Sequence, residues 1–322
     1  MDTSPTPQQA SAPGTPPEPH KRMGRFRASW LLTKQSFALL WADKEMLLFP
    51  LLSGVASLLF AGLMVVVLVL GFDLIERLDA QELTVLDYLL AFVAYASSAF
   101  FVTFSGVGVA TIAAGRVSGH DLTFGDGFSA ALNRAGTIFT WSLISATVGI
   151  ILKYIQRQKL LGRILAAVLG AAWNLMTYFV VPVIALEQRS AWGSTRRSVE
   201  VFKAMWGEVL ITNFGIGLFF VLVYVLELSA LFGLAVLLFS SGIPGIVTVV
   251  LFAAFALAVL FLTALVANTL DAILKVALYL YARDGVVPSA FTPELIEGMV
   301  RRDPNYAAQR APSTPHSSGV LS

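Results

Sequence analysis

Six long apolar runs alternate with short polar connections along the chain, at about residues 47–70, 86–114, 137–152, 164–186, 209–239 and 246–281. A helix needs about 20 predominantly apolar residues to cross the hydrocarbon of a bilayer. The pattern therefore predicts an all-α fold, a polytopic transmembrane helix bundle of six spans. The third run is the shortest of the six, with the least length to spare for a crossing.

A second periodicity precedes every other run. Phe26, Trp30, Phe37, Leu40 and Trp41 share one helical face ahead of the first span, with Arg27, Lys34 and Gln35 off it. Phe124, Phe128, Leu132, Ala135 and Phe139 do the same ahead of the third, and Trp192, Val199, Phe202 and Trp206 ahead of the fifth. Aromatic-faced, basic-backed helices lie in the membrane interface, with rings at headgroup depth. Amphipathic cytoplasmic elbow helices are thus predicted over about 26–44, 122–136 and 190–206. Elbow, span out and span back form a unit read three times, over about 25–114, 122–186 and 189–281. The repeat is one of pattern, not identity, and elbows also stand beside spans that do not repeat.

Outside the runs little remains to fold. Residues 1–24 are rich in Pro, Ser, Thr and Gln without apolar periodicity, and residues 304–322 read alike; neither buries enough surface to offset its ordering entropy. Thr292 as N-cap, Pro293 in the first helical position and Glu294 in the first turn signal a short helix over about 293–302. The organisation expected is a disordered arm (1–24), a single transmembrane domain (25–303) and a disordered tail (304–322). With 46 residues before it, the first run reads as a retained span, not a cleaved signal peptide.

Charge orients the bundle. Lys21, Arg22, Arg25, Arg27, Lys34 and Lys44 precede the first span, whereas the loop after it is acidic, with Asp73, Glu76, Asp79, Glu82 and Asp87 against Arg77. Basic residues favour the cytoplasmic side. A multi-pass protein of the bacterial cell (inner, cytoplasmic) membrane is therefore expected, with both termini in the cytoplasm. Lys153, Arg157, Lys159 and Arg163 oppose this scheme, since alternation puts them outside. Overall composition agrees with a lipid solvent: 57% of the 322 residues are hydrophobic and 13% charged, about half the charged share of an ordinary soluble domain. A net charge of +2 gives no electrostatic case for a nucleic-acid partner, and the lack of cysteine removes disulfides, thiolate metal sites and a Cys nucleophile.

Charged side chains at membrane depth cost about 2.5–3.5 kcal/mol on insertion scales and are functional candidates for that reason. Asn268, Asp271 and Lys275 share a face of the last run. Asp271 precedes Lys275 by four residues, the favourable order for an intrahelical pair, and an ion pair snorkelling to the interface is the simplest reading beside an ion or substrate site. Glu227 in the fifth run either meets Lys153 or Arg157 across the bundle or marks where the helix leaves the hydrocarbon. Asn174, near Trp173 and Tyr178, fits an interhelical hydrogen bond better than a ligand. Glu187 closes the fourth run just after Pro182, at an interface. Small residues recur every fourth position (Ser53, Ser57, Ala61; Gly106, Ala110, Ala114; Gly162, Ala166, Gly170), the spacing that lets helices approach within one chain or between copies. Packing within one chain explains these stripes best, and homo-oligomerisation would use the same ones.

Catalytic signatures are lacking. His20 and His316 lie in the polar ends. His120, Asp121 and Asp126 match no metal-ligand spacing and read better as a turn before the second elbow. No nucleophile elbow, phosphate loop, dinucleotide fingerprint or paired-histidine motif occurs, so no cofactor is expected.

Two segments carry a resemblance. Ser29-Trp-Leu-Leu, with Ala-Asp-Lys-Glu-Met-Leu-Leu-Phe-Pro-Leu-Leu-Ser-Gly from Ala42, resembles the opening of an uncharacterised prokaryotic family of multi-span membrane proteins, one of the domain-of-unknown-function families. Ala-Ala-Trp-Asn-Leu-Met-Thr-Tyr-Phe-Val-Val-Pro-Val-Ile-Ala-Leu-Glu from Ala171, then Arg-Arg-Ser-Val-Glu-Val-Phe-Lys-Ala-Met-Trp-Gly-Glu from Arg196, strengthens it. The second segment is also loosely similar to the membrane domain attached to some glycerophosphoryl diester phosphodiesterases. Their catalytic barrel, with its histidines and acidic metal ligands, has no counterpart here. The likeness covers about 25–300 and implies fold and location, not an activity.

The leading expectation is a non-enzymatic structural or membrane-organising protein whose partner is the lipid bilayer. Arg25, Arg27, Lys34, Arg196, Arg197 and Lys203 on the elbows would meet anionic lipid. The alternative is a small-solute or ion transporter or channel using Asn174, Pro182, Glu227, Asn268 and Asp271. An enzyme acting on lipid is the third class, and it lacks a visible base and nucleophile.

Overall fold

The structure, a computed structural model, describes residues 25–72, 84–157, 160–240 and 245–284. The two terminal segments, the 293–302 helix, Lys159 and most of the acidic loop after the first span lie outside the described residues.

Every regular element among them is helical. In chain order these are α1 (Arg25–Ala42), a 3-10 turn (Lys44–Leu47), α2 (Leu48–Phe72), α3 (Val85–Val117), α4 (Phe124–Asn133) and α5 (Ala135–Gln156). There follow α6 (Leu160–Met176), α7 (Val180–Glu187), α8 (Ala191–Ala204), α9 (Trp206–Ser240) and α10 (Ile246–Asp284). Six stretches are long and apolar enough to cross a bilayer: Lys44–Gly71, Val85–Val117, Ala135–Gln156, Leu160–Glu187, Gly217–Leu238 and Ile246–Asp284. The run that looked shortest gains length at both ends and becomes a 22-residue helix.

Local chemistry sets several ends. Asp87 accepts the Thr84 amide at 2.7 Å before α3. At α4 the box is reciprocal: Thr123 N–H donates to Asp126 Oδ2 at 2.8 Å and Asp126 N–H to Thr123 Oγ1 at 3.4 Å. Hydrogen bonds from the Thr123 amide and hydroxyl hold the Asp126 carboxyl below its usual range. After α3 the chain reverses through Gly119 at φ +82°, where a side chain would be strained, and His120 N–H returns to the Gly115 carbonyl at 2.8 Å.

The fourth run is not one helix. Pro182 has no N–H to give the Tyr178 carbonyl, so the ladder cannot run through that point. The chain turns at 177–179 and resumes as α7. Ser198 Oγ on α8 accepts the Phe179 amide at 3.0 Å, and so satisfies a backbone donor in the break.

α3 is the central helix, packed by α2, α4, α5, α7 and α10. The core lies at one end of the bundle, where the elbows are: Leu40, Met46, Phe49, Ile112, Ile138, Phe179, Ile184, Leu270 and Tyr279 are all buried there. Beyond it the spans present apolar side chains outward, among them Leu58, Leu226, Phe232, Val250 and Leu257. Soluble monomers rarely expose more than a few hundred Å² of contiguous apolar surface. Here it runs along all six long helices, as expected when lipid is the solvent.

Of the aromatic stripes read from the sequence, the rings are exposed in part, while Leu40 is buried and Phe37, Phe124 and Phe202 are half-buried. Trp41 is 70% and Trp192 72% exposed, and Phe128, Leu132 and Phe139 are exposed too. The buried faces of α4 and α8 carry mostly small residues, Gly127 and Ala131 on α4 and Ala191, Ser194 and Ser198 on α8, whereas α1 buries Ser36, Leu39 and Leu40. Small residues let α4 sit close on α3 and α8 on α7, while α1 packs on α9 and α10.

Candidate functional site

Two polar assemblies and an isolated carboxylate account for the charged membrane-depth candidates. The first assembly is a clamp at the end of α7. Glu187 Oε1 accepts from Arg197 Nε at 3.0 Å and from the Tyr279 hydroxyl, and Glu187 Oε2 accepts from Arg189 Nε at 2.5 Å. Arg197 also reaches Glu200 through Nη1 at 3.3 Å. One carboxylate thus joins α7, α8 and α10. Arg197 is only 6% exposed. Burial alone would lower its pKa, but the hydrogen bonds and charge of Glu187 outweigh that, and the guanidinium is held above its ordinary value. This corrects its grouping with the outward elbow cations: the close fit of α8 on α7 turns Arg197 inward, whereas Lys34, Arg196 and Lys203 are exposed. Arg25 and Arg27 stand in the part of α1 whose backbone alone is described.

The second assembly is a cleft of about 500 Å³ between α2, α3 and α10, with Val181 and Pro182 of α7 in its wall. Asn268, Asp271 and Lys275 line it, as do Ser53, Ser57, Ser98 and Ser105. Asp271 Oδ2 and Lys275 Nζ are 2.6 Å apart, and the ammonium lies 4.9 Å from the centre of the Tyr178 ring. The intrahelical pair anticipated from the i, i+4 spacing is formed, and it faces a cavity. Ser57 Oγ is buried without a hydrogen-bond partner.

Other candidates stand apart. Glu227 does not meet Lys153: α9 packs mainly on α1 and α10, and Lys153 rests over the Tyr95 ring at 5.1 Å. Both Glu227 carboxylate oxygens are buried without a hydrogen-bond partner. Asn174 is on the exposed side of α6 and joins neither assembly. In the turn before α4, Asp121 pairs with Arg116 at 2.6 Å, Arg116 approaches Asp43 at 3.4 Å, and Asp126 caps α4. Among the described residues no group of three His, Asp or Glu is placed to hold a metal.

Tyr279 and Arg189 were not singled out from the sequence. Tyr279 is hidden inside an apolar run, and its partner is 92 residues away. The serines on α3 carried no signal either, while Ser53 and Ser57 were visible only as small residues.

An all-helical chain with six membrane-length apolar helices and lipid-type surfaces is a multi-pass integral membrane protein. It belongs to the family of unknown function DUF6159, whose model matches residues 82–289. That stretch contains the Ala171–Glu187 and Arg196–Glu208 segments and leaves out the opening one. No curated protein and no solved structure matches the chain.

Proposed function

We propose that this is a non-enzymatic structural or membrane-organising protein of the bacterial cytoplasmic membrane, with both termini in the cytoplasm. The observation that supports the reading best is the outward face of the elbows. Trp41, Phe128 and Trp192 are exposed, with Lys34 exposed on the helix of Trp41 and Arg196 and Lys203 on that of Trp192. Each basic side chain near an anionic surface contributes about 1 kcal/mol of attraction. Such helices would gather anionic lipid around the bundle on the elbow side. In nanodiscs of mixed phosphatidylglycerol and phosphatidylcholine, the wild-type protein is expected to enrich phosphatidylglycerol around itself. The triple variant Lys34→Gln/Arg196→Gln/Lys203→Gln should lose most of that enrichment while staying folded. An unchanged lipid profile would overturn the reading.

The cleft supports a second reading, a small-solute or ion transporter, because a cavity with a charge pair beside a broken helix is how many transporters bind. Proteoliposomes would then show monovalent-cation flux well above protein-free vesicles, and Asp271→Asn would reduce it. Flux equal to that of empty vesicles removes this reading for cations.

A further inference from the structure

The cleft beside α10 is built unequally along its length. Asp271 and Lys275 stand at the elbow-side end, and Phe261 stands at the other, 10 and 14 residues earlier in the helix and so about 15 and 21 Å along the axis. Between them the wall is mostly aliphatic, with Val102, Val109 and Val181 among its residues. Its volume is within the range of small-molecule sites, about 300–1,000 Å³. α2 packs along α3 but touches α10 little, so the seam between α2 and α10 is the thin side of the enclosure. At that seam the Phe261 ring lies against Gly54, 3.1 Å from where a Cβ would be.

These features select a ligand. One charged end and one apolar end describe an amphiphile lying parallel to the spans. The charged end is a carboxylate and an ammonium in contact, with no net charge. A net-anionic head gains Lys275 but must face Asp271, and a net-cationic head has the reverse problem. A zwitterionic head can exchange partners with both groups and leave no charge unpaired. Ser57 Oγ, buried and unbonded one turn beyond Gly54, lines the Phe261 end of the cleft.

We propose that the cleft holds one zwitterionic aminophospholipid from the elbow-side leaflet, with its phosphate at Lys275, its ammonium at Asp271 and an acyl chain running toward Phe261. The site is independent of the exposed elbow cations, none of which lines the cleft, so the two readings fail separately.

The chain contains no cysteine, so Ser57→Cys supplies a single reporter thiol inside the cleft. In bilayers containing phosphatidylethanolamine, its reaction with N-ethylmaleimide should be roughly tenfold slower than in bilayers of phosphatidylglycerol alone. Adding Asp271→Asn and Lys275→Gln should abolish the difference. Equal rates in the two bilayers overturn the proposal, as does protection by soluble phosphoethanolamine, which would point to a solute site. Native mass spectrometry of the unmodified protein provides a measurement that needs no variant. One phosphatidylethanolamine should stay bound at detergent levels that strip phosphatidylglycerol; equal retention or equal loss of the two lipids counts against the site.

Discussion

Replacing Arg197 by alanine is expected to destabilise the protein by about 3–5 kcal/mol, because it leaves the Glu187 carboxylate in a buried place without its main countercharge. The loss should be read as a lowered thermal midpoint of the detergent-solubilised protein, with aggregation on size-exclusion chromatography. Glu187→Ala should do comparable harm by stranding the guanidinium, which is almost wholly enclosed. The double variant Glu187→Leu/Arg197→Met should be distinctly milder than either alanine variant. Apolar side chains of similar size remove both charges and can often replace a buried ion pair at little cost. If the effects of the two sites simply add, the pair is not the source of the loss. Arg196→Ala, one position along and exposed, should change little.

The second large effect is expected where the second elbow meets the central helix. A Cβ on Gly127 would lie 2.9 Å from the Gly108 carbonyl oxygen and 2.9 Å from Phe49 Cζ. The first of these neighbours is backbone and cannot swing away. Helix propensity favours alanine over glycine by about 1 kcal/mol, but overpacking at such a contact costs typically about 1–3 kcal/mol. Gly127→Ala should therefore destabilise despite the better propensity, and Gly127→Leu should prevent α4 from docking. Gly62→Ala in α2 is the control, since nothing lies within 4 Å of its Cβ position. Thermal midpoints of the two alanine variants should move in opposite directions; a shift of the same sign in both would mean that α4 is not held by this contact.

How far the sequence speaks depends on which solvent a feature answers to. The spans were legible because lipid requires about 20 apolar residues in a row, and few other folds tolerate that. The Asp271–Lys275 pair was legible because it is local, four residues on one helix. The elbows were legible as helices with rings at the membrane interface, but the small residues that dock them were not. The glycines and serines of α4 and α8 take the tight contacts. Pro182 announced a break, whereas its catching by Ser198 depends on how α8 folds back. The clamp was the least legible part. Glu187 had been noted, yet Arg197 is ten residues on and Tyr279 belongs to a stretch whose other residues serve burial alone.

That separation has a consequence for biogenesis. At roughly 5–20 residues per second, the 92 residues between Glu187 and Tyr279 take some 5 to 18 seconds to polymerise. For that interval the lower half of the fourth crossing has no final partner to lock against, although its acid and arginine have already left the ribosome. Arrival of the last helix completes the bonding of that acid and closes the assembly. A nascent chain interrupted before Tyr279 would display an unfinished polar knot, a mark by which membrane quality control could tell it from the finished product.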